Sequence, residues 1–271
     1  MRNRNPLSFS SLKLDLFSKD GTRLKSASGF VAEAGDKYYL ITNWHVVSGR
    51  NISESGRQES VEPYTLKTTV HIYAGQGEKR DPPQIGVRRK ITVQLYDDND
   101  TPKWIERKST DQYQPMVDVV AIPIESETVL RNLFAWQVEV STIDTNMRHW
   151  VKTSAIPISA IDIDEEYGPP DTVHIIGYPL GWVPIGTDKT STAFWRTSSI
   201  ASERYEIGRT PDVFFIDPPA PEGMTGSPVV GLKNDRVKLL GVYSSSSTAE
   251  FGANAGLVWD ALLLKELIGA S

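Results

Sequence analysis

The sequence predicts an all-β protein, a barrel or sandwich of short strands closed by one helix at its C-terminal end. Strand-type stretches of four to eight residues recur along the chain, and turn residues separate most of them. They do not alternate with helical patterns, as a parallel β/α sheet would require. The 20 glycines and 17 prolines are spread along all 271 residues without forming a low-complexity tract.

The elements follow in order. Residues 12–17 (LKLDLF) alternate apolar and polar positions, the period of a half-buried strand. Residues 28–34 and 37–42 flank Gly35-Asp36 and read as a hairpin. Residues 48–68 are polar and predict an extended surface loop. Further strands are expected over 69–73, 91–96, 117–124, 172–176, 213–216, 237–243 and 256–259. Residues 125–136 suggest a helical turn in a crossing between two halves. Residues 259–268 (WDALLLKELI) carry apolar positions at helical spacing before Gly269 and predict the terminal helix.

Composition narrows the function classes. With 29 Lys and Arg against 34 Asp and Glu, the net charge of −5 advertises neither nucleic acid nor an anionic membrane as a partner. The absence of cysteine excludes disulfides, thiolate metal sites and cysteine nucleophiles. No stretch approaches the roughly 18 apolar residues of a membrane span. No apolar signal-peptide core follows the basic start, which leads to the expectation of a cytoplasmic location. The basic residues Lys79, Arg80, Arg88, Arg89 and Lys90 read as a solvated loop. The acidic stretches 97–100 and 162–166 lack the spacing of a calcium loop and read as turns. No cofactor or metal is expected.

Three motifs carry chemistry. The first places His45 after an apolar strand, in Thr42-Asn-Trp-His-Val-Val47. Histidine is the side chain best matched to proton transfer near neutral pH. The second sets Asp118 against Val119-Val-Ala-Ile122, where a carboxylate is costly to bury unless something hydrogen-bonds it. Such a residue either caps a turn or orients a histidine. The third is Pro221-Glu-Gly-Met-Thr-Gly-Ser-Pro228, whose glycines let the backbone turn sharply and aim N–H groups at one point.

This order of histidine, aspartate and a hydroxyl on a glycine turn resembles the chymotrypsin-like (trypsin-fold) serine peptidases. The nearest flavour is the bacterial branch that includes the high-temperature-requirement proteases. TNWHVV, DVVAIPI, IIGYPLG (175–181) and LLGVYSS (239–245) add to the likeness, which covers roughly residues 28–268. It implies a single peptidase unit over 1–271. Two six-stranded antiparallel β-barrels would lie at about 1–130 and 131–258, with the C-terminal helix over 259–268. It implies His45 as general base and acid, Asp118 as its orienting partner and Thr225 at the nucleophile position. Gly223 and Thr225 would supply the oxyanion-hole N–H groups. Tyr243, Ser244, Ser245 and Ser246 would form the edge strand that pairs with a protein or peptide substrate, in a β-augmentation mode. Pro219 would sit at the base of the specificity pocket, with Tyr243, Ser246 and Gly256 as walls. With no acid at Pro219, selectivity for Arg or Lys is disfavoured, and a small-to-medium apolar residue is expected before the cut. His71, His149 and His174 fall outside these motifs.

The sequence departs from the family at Thr225, where the family has serine. A β-branched side chain is stiff at χ1, and its methyl group must find space beside the His45 ring or the scissile carbonyl. Three readings stay open: a slower natural nucleophile, an engineered Ser→Thr change, and a pseudoprotease that binds peptides without cutting them. A two-residue slip that made Ser227 the nucleophile would carry it away from the oxyanion donors. An unidentified activating partner is compatible with any of these readings.

Overall fold

The structure is a computed structural model. It describes residues 7–50, 61–76, 85–107, 117–124, 149–162, 167–182, 193–204, 213–233, 236–247 and 254–269. The helical turn expected at 125–136, and Lys79 and Arg80, lie outside the described residues.

A short turn, α1 (Leu7–Ser10), leads into β1 (Ser11–Phe17), where Leu12, Leu14 and Leu16 are buried and Lys13 and Asp15 are not. This is the half-buried alternation read from the sequence. β2 (Arg23–Ala34) and β3 (Lys37–Thr42) pair antiparallel around the Gly35-Asp36 turn. A five-residue helix, α2 (Trp44–Ser48), follows, so His45 stands on a helix and not at the end of a strand. Next come β4 (Thr65–Gln76), β5 (Ile85–Gln94), β6 (Ile105–Glu106), β7 (Val120–Ile124), β8 (His149–Thr153) and β9 (Ile156–Pro157).

These nine strands form one curled sheet in the order β5-β4-β1-β2-β3-β7-β6, with β8 added against β4 and β9 against β2. The first sheet therefore runs on to Pro157 and is a half-barrel of nine strands.

After the turn η1 (Ile158–Ala160), the remaining strands are β10 (Thr172–Gly177), β11 (Phe194–Ile200), β12 (Val213–Asp217), β13 (Pro228–Lys233), β14 (Arg236–Ser247) and β15 (Ala255–Asp260). A turn, η2 (Pro179–Gly181), lies between β10 and β11. The six strands close a barrel in the order β10-β11-β12-β15-β14-β13. The chain ends in α3 (Leu262–Ile268); Trp259 and Asp260, expected in this helix, continue β15 instead.

Apolar burial is divided three ways. One cluster, with Leu14, Leu40, Leu66 and Val120, fills the half-barrel. A second, with Ile175, Phe214, Leu240 and Val258, fills the barrel. The third joins the two, packing Phe30, Ile41 and Val119 of the sheet against Ile176, Val242 and Leu264. Because the groups described next come from both units, this shared core is what holds them in register. Among the described residues, no helix is long and apolar enough to cross a membrane.

Candidate active site

The site is built on three short segments. At the first, β3 ends and Asn43 enters α2. The Asn43 side chain leaves the helix end uncapped and donates instead from Nδ2 to the Asp118 carbonyl at 2.6 Å. That bond fixes the segment before β7 against the start of the helix. His45 then lies beside Asp118: its backbone N–H donates to Oδ1 at 2.9 Å, and its ring Nδ1 lies 2.8 Å from Oδ2 and 3.0 Å from Oδ1.

Asp118 is fully buried. Its second oxygen also receives the Ser244 hydroxyl at 2.7 Å. Three donors thus offset the loss of water around this carboxylate. A carboxylate only accepts, so Nδ1 of the neutral ring carries the hydrogen and Nε2 keeps its lone pair. The His45 side chain is 26% exposed.

The third segment is the turn 221–228. Gly223 and Gly226 have φ of +88° and +87°, where a side chain is strained. Space also excludes one: a Cβ at Gly223 would meet the Leu180 nitrogen at 2.4 Å, and one at Gly226 would meet the Ser28 carbonyl at 2.1 Å. The turn is tied to both units. Ser28 N–H donates to the Thr225 carbonyl at 2.9 Å, its hydroxyl to the Gly223 carbonyl at 2.9 Å, and Gly226 N–H to the Tyr243 carbonyl at 2.8 Å. Among the described residues, neither the Gly223 nor the Thr225 N–H has an acceptor.

Thr225 and His45 line one open cavity of about 390 Å³, together with Ala27, Leu180, Glu222 and Gly223. No hydrogen bond joins the His45 ring to the Thr225 hydroxyl among the described residues. Such bonds often tighten only when substrate is bound. Ser227 is fully buried, and a Cβ at Gly177 would come within 2.0 Å of its hydroxyl oxygen, so it sits away from this cavity.

The expected substrate-side residues divide into two groups. Ser245 and Ser246 pair with Leu257 and Gly256 of β15 on one edge of β14. The opposite edge loses β13 beyond Val242: Tyr243 is still bonded to the turn, its N–H donating to the Ser227 carbonyl at 2.9 Å and its carbonyl accepting the Gly226 N–H, and past Tyr243 nothing among the described residues pairs with this edge. Tyr243 is buried in the barrel, its ring packed at Gly256 and its hydroxyl donating to the Ala220 carbonyl at 2.9 Å. Burial pushes this phenol up to about 12. Pro219 is half-buried next to Ala220. Ser244 is a case apart: its hydroxyl serves Asp118.

Asn43 and Ser28 were missed by the sequence reading. Asn43 was within reach, since it adjoins the histidine motif. No local signal marks Ser28, which acts across 195 residues of sequence. His71 packs its ring on Phe9 and His174 lies beside Trp195, both away from the cavity. No group of three or more His, Asp or Glu among the described residues could hold a metal ion.

Sequence comparison finds no matching family model and no matching curated protein. Structural comparison does find similar folds. The HtrA-type protease AlgW with a tripeptide superposes with a TM-score of 0.50 at 13% identity, covering 97% of this chain. This is a trypsin fold. A second AlgW structure, AlgWS227A with a tripeptide, gives 0.48 at 14% identity, also over 97% of this chain. The active form of the Rv3671c protease from M. tuberculosis gives 0.44 at 17% identity, covering 98% of this chain and 83% of its own. The present chain spans 60% of the AlgW chain. In this trypsin fold the cavity holding His45 and Thr225 lies between half-barrel and barrel, where both contribute residues.

Proposed function

We propose that the protein is an endopeptidase acting through an acyl-enzyme, with His45, Asp118 and Thr225 as its triad. The observation that carries this reading is the buried Asp118 carboxylate, gripped by His45 twice and by Ser244 once, with His45 lining the same cavity as Thr225. A carboxylate held this way orients the imidazole and stabilises its charged form.

In the first step His45 Nε2 takes the Thr225 hydroxyl proton as Oγ1 bonds to the scissile carbonyl carbon. The Gly223 and Thr225 N–H groups, without an acceptor among the described residues, receive the oxyanion. His45 then returns the proton to the leaving amine as the C–N bond breaks. Water, deprotonated by His45, hydrolyses the ester in the second half. The open edge of β14 at Ser245 and Ser246 pairs with the substrate backbone.

Tyr243 sets the preference before the cut. Its ring takes up space between Gly256 and Ala220, and the position expected at the base of the pocket is Pro219, which offers no charge to pair a basic side chain. Cleavage of a peptide library is expected after small apolar residues, with products read by mass spectrometry and absent for His45→Ala. Tyr243→Val is expected to shift cleavage towards larger apolar residues by at least about tenfold, since one to two methylenes of pocket space are worth 1–3 kcal/mol. Dominant cleavage after Arg or Lys would contradict this reading of the pocket.

The second reading, a peptide-binding module without turnover, is favoured by one observation: the missing bond between His45 and Thr225. It predicts that the His45→Ala variant still binds peptides and that no variant cuts.

A further inference from the structure

A second cavity, of about 540 Å³, lies on the half-barrel behind α2 and away from the cavity of Thr225. Its walls are aromatic. Tyr64 and Tyr96 stack at 5.7 Å between ring centroids, and Trp104 meets Tyr96 edge-on at 5.3 Å. Trp44, from α2, completes the lining.

Two carboxylates face this aromatic group, each held by neutral donors. Glu106 Oε2 accepts the indole N–H of Trp44 at 2.8 Å and that of Trp104 at 2.6 Å. Glu62 Oε1 accepts the Tyr96 hydroxyl at 2.6 Å. Burial first, then the hydrogen bond to Glu62 and the Glu62 charge, push the Tyr96 phenol well above its ordinary range, so it stays a donor. Among the described residues neither glutamate has an ion-pair partner. Half-buried charges usually have one.

The molecule shows what counter-charge this surface accepts. At the rim, the Lys19 ammonium lies 4.9 Å above the Tyr64 ring and 3.2 Å from Asp100. An aromatic face with a carboxylate beside it is the arrangement that receives an organic cation. Lys19 is occupied by Asp100, so among the described residues lining the cavity Glu62 and Glu106 stand against Arg50, a balance of one negative charge. The volume falls in the range of ligand pockets and exceeds that of the candidate active site.

We propose that this cavity binds the ammonium or guanidinium head of a basic side chain on a bound polypeptide, with Glu106 and Glu62 supplying the counter-charge and Tyr64, Tyr96 and Trp104 the aromatic faces. The occupant rests against Trp44 and Ser48, both on α2, the helix that carries His45. The site is independent of whether the chain cuts peptides.

The test is a titration of the full chain, read by intrinsic tryptophan fluorescence and by calorimetry. The probes are N-acetyl-arginine methylamide, its neutral isostere N-acetyl-citrulline methylamide, and an octapeptide containing three arginines. Saturable binding of the arginine probe is expected, at least tenfold tighter than citrulline, with Glu106→Gln and Glu62→Gln each weakening it at least tenfold. Glu62 is held by one hydroxyl only, so Glu62→Gln tests the site even if Glu106→Gln disturbs the indoles. The octapeptide is expected to bind at least tenfold tighter than the single arginine. Equal binding of arginine and citrulline, or variants that bind arginine as the wild type does, would overturn the site. Equal affinity for octapeptide and single arginine would overturn the polypeptide assignment.

Discussion

Asp118→Asn is expected to lower turnover of a peptide substrate by about 10⁴-fold, with KM little changed. The reason lies in the donors around this carboxylate. Three groups point hydrogens at it: the His45 backbone N–H, the His45 Nδ1–H and the Ser244 hydroxyl. Asparagine keeps the shape but offers one acceptor and one donor. If its oxygen keeps the His45 backbone N–H, its NH₂ faces His45 Nδ1, which must then accept. The ring hydrogen moves to Nε2, where it cannot take the Thr225 proton. Ser244→Ala is a milder version: it removes one donor and leaves the tautomer unchanged, so a loss of about tenfold is expected. A fall of less than tenfold for Asp118→Asn, with the fold checked by circular dichroism, would show that the histidine does not depend on this carboxylate.

The largest expected effect on stability comes from Arg204. Its guanidinium is 3% exposed, and it bridges Asp260 through Nε and Asp162 through a terminal nitrogen, both at 2.9 Å. Asp162 and Asp260 are buried as well, and Asp260 Oδ1 also accepts the Leu262 N–H at the start of α3. The residue therefore ties the end of the inter-unit segment to β15 and to the terminal helix. Arg204→Met is expected to lose about 3–5 kcal/mol, because it removes the cation that two buried carboxylates share, and the Lys238 ammonium, 4.0 Å from Asp162, reaches only one of them. Adding Asp162→Asn and Asp260→Asn to the same chain is expected to recover part of that loss, since the buried carboxylate charges are removed together with the arginine. Urea denaturation measures both. A loss under 1 kcal/mol for Arg204→Met would mean that water or other groups already satisfy the acids.

The fold class was legible because short strands, such as 12–17, carry their burial in a two-residue period. The topology of the first sheet was not. β8 joins β4 and β9 joins β2 across long stretches of chain, and nothing local in His149–Thr153 or Ile156–Pro157 announces a partner. β11 (Phe194–Ile200) escaped because four of its seven residues are polar or charged and its burial does not alternate cleanly. His45 on a helix was not visible either, as five residues are too few to show a helical period. The segments bearing His45, Asp118 and Thr225 could be read because each is contiguous and chemically unusual: a histidine after an apolar strand, an acid among valines, a hydroxyl between glycines. The groups that hold them could not. Ser244 reads as one of four successive serines, and only the closing of barrel against half-barrel brings its hydroxyl to Asp118.

The central claim is that the Thr225 hydroxyl is a working nucleophile that depends on His45. The most direct test compares peptide cleavage by the chain as it stands with Thr225→Ser, Thr225→Ala and His45→Ala. Cleavage by the native chain is predicted, faster by up to about 100-fold with serine, where the constraint of the extra methyl group on the reacting oxygen is removed. Both alanine variants are predicted to be silent. Cleavage by Thr225→Ala at the native rate would contradict the account, as would silence from all four proteins.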